Sequence, residues 1–275
     1  MCNQKEYFRV INYDVDNYQN NIVDTENINY GKITLPLYRE YEPFGKKILE
    51  LEDKYKYDYN IEIYVLLLEM LYKRKKNIEK DVEIDEEFLK KLLIDLKFDE
   101  KDIERDFVYI YRIAGTNYGE KYIEFDKLLT IAKNFLPFIY LLELPISKTS
   151  RLNNIDMLCL YLGEIILEEE RKLNFSKLPS RLGSFFLFKD IETAKKYKNM
   201  HDGHIIKIIP QIITNYFEGD MHILDSIKYH RWYYKKSHTI SQLKKIFYKY
   251  WSGEKTSTPI IEILFQGKCK IQNKL

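Results

Sequence analysis

The sequence predicts an α+β protein whose strand-rich core is interrupted by a large helical block. Three observations carry this reading. Runs of strand-favouring residues occur near the start and across the last third of the chain; residues 46–144 repeat apolar side chains at helical spacing; and the late strands alternate with helices. With 45% hydrophobic residues, a chain of 275 can bury a real core as one large domain or two small ones. The expected division is a core of residues 1–45 and 150–275, with a mainly helical insertion at 46–149.

In chain order, residues 6–11 read as a first strand that carries Arg9, a surface charge or an anion ligand. A second strand is expected at 32–37, ended by Pro36, and a polar connection at 38–44 punctuated by Pro43 and Gly45. Residues 61–71 read as a helix ending near Asn77 in a basic run that suits its negative pole. Asp85 caps a helix in which Phe88, Leu89, Leu92, Leu93 and Leu96 recur at helical spacing. Residues 99–106 are a charged helix or linker, and 107–113 a strand or a continued helix. Gly115 and Gly119 then break the chain, before an apolar helix at 125–142 that Pro137 kinks. This region shows no catalytic spacing, so its apolar stripes predict packing or recognition.

Residues 157–173 form a long helix ending in Glu168, Glu169 and Glu170, which point to different faces and so predict a solvated helix end, not a metal pair. Asp190 caps a short helix. Residues 204–209 are a strand stopped by Pro210. Thr239 and Gln242 make a capping box for a helix to Trp251, with Leu243, Ile246, Phe247 and Tyr250 on one side. Residues 259–267 are an apolar strand that 268–271 can extend.

Charge and cysteine content bound the partners. Lys+Arg 44 against Asp+Glu 42 leaves a net charge of +2, so nucleic-acid binding requires a local patch. Lys228, His230, Arg231, Lys235 and Lys236 around Tyr229, Trp232, Tyr233 and Tyr234 offer one: a mixture that holds phosphates and stacks bases, or a solvated basic face beside a core cluster. Cys2, Cys159 and Cys269 are scattered, with no spacing for a disulfide framework or a metal site. No signal core opens the chain, and no apolar run reaches the roughly 18 residues that span a bilayer. A cytoplasmic protein is expected, with no metal and no membrane partner.

Two features carry chemistry. In residues 178–188, Pro179 fixes the backbone and Gly183 loosens it, so a buried strand starts with Arg181, Ser180 and Ser184 at its mouth. Glu262 lies between Ile260, Ile261, Ile263 and Leu264. It alternates outward to solvent or faces a cleft because chemistry needs it there.

The order of these pieces resembles the ADP-ribosyltransferase fold, in the bacterial and phage versions where a Pro-Ser-Arg segment, here Pro179, Ser180 and Arg181, leads into a Ser-aromatic strand beginning at Ser184. The resemblance covers residues 1–40 and 150–275 and implies a split β-sheet core. It implies NAD as substrate and an arginine, serine, glutamate site: Arg9 matches the first-strand arginine, Ser184 the second-strand serine, and Glu262 the last-strand catalytic glutamate. In the family that glutamate bonds the ribose 2′-hydroxyl and stabilises the charge that develops as nicotinamide leaves. Arg181 becomes a second phosphate clamp, and Trp251 or Phe186 a stacking partner for nicotinamide. Arginine-modifying members carry a Glu or Gln where this chain has Ile260, which argues against an arginine acceptor. The resemblance further implies a macromolecular acceptor, nucleic acid or protein, read by the loop 252–258. A toxin or phage-defence role, with an antitoxin or inhibitor protein as partner, belongs to the same implication. The alternative is a non-catalytic interaction protein that binds a partner through its helical block.

Overall fold

The computed structural model describes residues 5–11, 21–27, 35–59, 61–76, 85–95, 107–109, 122–144, 154–200, 203–225 and 238–274. Helices and strands are mixed, and the fold is α+β. In chain order the elements are β1 (Tyr7–Ile11), β2 (Ile22–Asp24), α1 (Tyr38–Tyr55), α2 (Ile61–Lys76), α3 (Glu86–Asp95), β3 (Phe107–Tyr109), β4 (Tyr122–Glu124) and α4 (Phe125–Phe135). A 3-10 helix (Leu136–Glu143) follows, then α5 (Asn154–Asn174), a 3-10 turn (Arg181–Gly183), β5 (Phe185–Phe188), α6 (Ile191–Met200), β6 (His204–Asp220), α7 (Met221–Asp225), α8 (Ile240–Trp251) and β7 (Ile261–Lys274). Two compact units result: residues 1–38, 167–227 and 244–275 form one, and residues 39–166 with 228–243 the other. Residues 46–149 fall wholly within the second unit.

The first unit is an antiparallel sheet in the order β2-β7-β5-β1-β6, and β6 also pairs with β7, so β1, β5, β7 and β6 close on themselves. Closure removes most free sheet edges. One face carries Tyr7, Ile11, Phe185, Leu187, Ile208, Ile263 and Phe265. On the other, Phe188 and Ile205 pack with Ala194 and Tyr197 of α6, beside Phe8 and Ile260. The strand expected to stop at Pro210 runs on to Asp220, because its register against β7 slips between Pro210 and Ile212 and its pairing with β1 ends at Ile208. A proline without an N–H is tolerated at such an irregularity.

In the second unit, the polar connection expected at 38–44 is instead the first part of α1. Tyr41, Phe44, Ile48 and Leu51 are buried at helical spacing, and that burial outweighs the one backbone bond lost at Pro43. Gly45 is a close-approach residue rather than punctuation: a Cβ there would sit 2.8 Å from Ile165. Tyr41 stacks on Tyr161 at 4.6 Å, and Phe44 meets Phe135 edge-on at 4.8 Å. The caps read from sequence form: Asp85 Oδ1 accepts from Phe88 N at 2.7 Å, and Gln242 Oε1 accepts from Thr239 N at 3.0 Å. Asp58 adds to the second cap by accepting from Ser241 N at 2.9 Å. At Pro137 the α-helix gives way to the 3-10 helix, with proline in its first turn. Residues 107–109 take the strand alternative and pair with β4, which the sequence did not suggest, in a two-stranded sheet of their own. Of the expected strand at 32–37, only 35–37 are described, in a turn; 99–106 and 115–119 lie outside the described residues.

Candidate active site

The approach to Arg181 is braced from α5. The solvated helix end expected at 168–170 is not what forms: Glu168 and Glu170 are buried. Glu168 takes a two-pronged bond from Arg171, at 2.8 and 3.1 Å, and Asn174 donates to Glu170. Arg171 also donates to the carbonyls of Ser176, at 3.2 Å, and Leu178, at 2.8 Å, which fixes the turn into Pro179. Pairing is what lets these carboxylates leave water. Ser180 then caps the 3-10 turn by accepting from Leu182 N at 3.2 Å, and Ser184 Oγ donates to Ser180 O at 2.6 Å. Arg181 thus stands on one turn closed at both ends by serine.

Glu262 sits on β7 between Phe188 of β5 and Gly219 of β6. It is only 3% exposed, so it is not a solvent-facing decoration. Its Oε1 accepts from Arg181 Nη1 and from the Tyr250 hydroxyl at 2.7 Å; Arg181 Nη1 also donates to the Tyr250 oxygen at 3.0 Å. The guanidinium lies 4.9 Å from the Phe186 ring centre and 5.6 Å from that of Tyr250. Gly219 makes this possible: a Cβ there would stand 2.3 Å from the Tyr250 ring. Burial, then the negative charge of Glu262, push the Tyr250 hydroxyl well above its usual range, so it stays protonated. Burial and Glu262 also raise Tyr197 of α6, against the opposing pull of Arg9 and Arg181.

Of the residues singled out from sequence, Arg181 and Glu262 meet directly. Arg9 does not join them. Phe8 pairs with Phe188, which in turn pairs with Glu262, so alternation puts Arg9 on the opposite sheet face. There its guanidinium lies 4.1 Å from the Phe185 ring centre and donates to Phe186 O at 3.0 Å. Ser184 is fully buried. Trp251 is buried too: its indole N–H donates to Leu167 O at 2.9 Å, and its ring packs on Phe217 and Tyr250. The patch of cations and aromatics at 228–236 lies outside the described residues. Among the described residues no group of three or more His, Cys, Asp and Glu is placed to hold a metal ion, and no helix is long and apolar enough to cross a membrane.

Sequence reasoning missed Tyr250, Gly219, Tyr197 and Asp220. Tyr250 was readable only as one member of an apolar stripe; the signal available was its hydroxyl, which a buried tyrosine must satisfy. Asp220, fully buried at the end of β6, accepts from Thr256 N and Oγ1, His222 N and Ile260 N at 2.7–3.0 Å. It thereby ties the loop 252–258 to the strand that flanks Glu262. Desolvation raises its carboxyl, but these donors together hold it below the usual carboxylate range. A depressed folded value means the stabilisation is present above the unfolded value of about 4 and is lost as pH falls through the folded one. Asp220→Asn should therefore cost about 1.5–3 kcal/mol at pH 7 and weaken the acid limb of the stability curve. Urea titrations between pH 3 and 7 check this; an unchanged acid limb contradicts it.

A family model described as protein of unknown function (DUF2441) matches residues 69–275, three quarters of the chain. The chain belongs to that family. No curated protein matches the sequence.

Proposed function

We propose that this protein is an NAD-dependent ADP-ribosyltransferase-like enzyme acting on a macromolecule, with Glu262 as the catalytic carboxylate. The observation that carries the reading is the buried Glu262 carboxylate on the last strand, held against Arg181 and Tyr250. Pairing with Arg181 and Tyr250 offsets the cost of keeping the carboxylate at that depth, and a buried charge held against a cation that a ligand phosphate can draw away suits a site that uses its charge. In the reaction the bond between ribose C1′ and nicotinamide breaks with its electron pair going to nicotinamide. An acceptor nucleophile then takes C1′ and loses a proton. Glu262 bonds the ribose 2′-hydroxyl and stabilises the cationic transition state; Arg181, drawn from Glu262 by the pyrophosphate, clamps the phosphates. Arg9, Ser184 and Trp251, offered by the resemblance as NAD ligands, serve from behind the site: they fix β5, the Arg181 turn and α8.

The order of strands, with Arg181 entering β5 and Glu262 on β7, supports assigning the sheet to the split core of that fold. The acceptor is nucleic acid or protein other than arginine, and a role as a toxin in phage–host conflict follows from the family resemblance. Incubation with labelled NAD and separated protein and nucleic-acid fractions of a lysate should release nicotinamide and label one fraction. NAD should also give a saturable thermal shift that depends on Arg181. No release and no label in any fraction overturns the assignment; absence of the shift while a protein partner co-purifies favours an interaction protein instead.

A further inference from the structure

We infer that Tyr250 is the positioning residue for Glu262, and that Gly219 is the notch that admits it; this rests on the transferase reading. Among the described residues, the two side chains that donate to the carboxylate, Arg181 and Tyr250, go to the same oxygen, Oε1. That leaves the orientation of Oε2 to be set by what holds Oε1. Arg181 is a poor sole anchor, because a pyrophosphate competes for the same guanidinium. Tyr250 cannot follow it. The ring is fully buried, wedged edge-on against Phe217 at 5.5 Å and Trp251 at 4.9 Å, and it lies over Gly219, the direct cross-strand partner of Glu262.

Any side chain at position 219 would occupy the ring's place, since even a Cβ falls 2.3 Å from Tyr250 Cε2 and 2.7 Å from its hydroxyl oxygen. Trp251 in turn is pinned by Leu167 O, so the end of α8 is fixed on two sides. The hydroxyl remains a donor across the working pH range because burial and the Glu262 charge raise it. When the phosphates take Arg181, Tyr250 keeps Oε1 in place and Oε2 faces the ribose 2′-hydroxyl. A group held in advance by a rigid partner costs no reorganisation at the moment of reaction.

The test is nicotinamide release by the full chain, wild type, Tyr250→Phe, Glu262→Gln and the double variant, with NAD concentration varied. Tyr250→Phe keeps the ring packing and should fold. It should lower kcat about 10- to 100-fold with KM moved less than about threefold. In the Glu262→Gln background the same substitution should cost less than about threefold, because the group it positions has gone. Gly219→Ala, which displaces the ring while leaving the hydroxyl on it, should reproduce the kcat loss in whatever fraction folds. A Tyr250→Phe protein with wild-type kcat, or an equal loss in both backgrounds, overturns the inference while leaving the transferase reading intact. A wild-type protein that releases no nicotinamide overturns that reading, and the inference with it.

Discussion

Glu262→Gln is expected to cut nicotinamide release and label transfer by about two to three orders of magnitude, the scale of losing one electrostatic stabiliser. The amide keeps the size and an acceptor for Tyr250 but not the charge. From sequence alone such a change has no reason to affect folding. The structure alters that expectation, because Glu262 is the counter-charge of Arg181, whose side chain is only 14% exposed. A loss of about 1–3 kcal/mol is therefore expected in denaturant titrations. NAD binding should survive, since Arg181 is unchanged and a neutral amide competes less than a carboxylate for its guanidinium. Full activity in this variant would remove the site assignment and the main support for the transferase reading.

Arg181→Ala should produce the largest loss of stability of the substitutions considered. It leaves a carboxylate that is 3% exposed with, among the described residues, the Tyr250 hydroxyl as its remaining side-chain donor. Removing one partner of a buried ion pair costs about 3–5 kcal/mol. The NAD-dependent thermal shift should vanish as well, because the group placed to meet the pyrophosphate is gone. Arg181→Lys separates the two effects: it restores the positive charge and much of the stability, yet loses the planar contact with Phe186 and binds NAD weakly. Calorimetry with and without NAD reads both quantities. An alanine variant as stable as wild type, still shifted by NAD, would contradict the arrangement.

The caps at Asp85, Asp190 and Thr239 were legible because each is settled within four residues, by a side chain that reaches its own helix. The strands around Phe185 and Ile263 were legible from their apolar runs. Pro43, Gly45 and Pro210 misled for a common reason. Local rules treat them as breakers, whereas here each is accommodated by burial, by close packing against Ile165, or by a slip in register. Glu168 and Glu170 misled because charge counts cannot show a partner. Arg171 and Asn174 were in view, but the depth of the helix end was not.

By itself, the sequence determined the α+β class, most helix starts, and that Arg181 stands at the mouth of one apolar strand and Glu262 within another, though Glu262 is the second residue of β7 and not its middle. Those properties follow from periodicity and short-range hydrogen bonding, which act over a few residues. Only the tertiary structure decided that these two side chains, 81 positions apart, share one carboxylate oxygen with Tyr250, and that Arg9 faces away. Which sheet face a side chain takes depends on register against distant strands, and one residue of register reverses it. The notch at Gly219 belongs to the same level: its missing Cβ matters only because strand pairing sets it beside Glu262 and packing brings the Tyr250 ring over it.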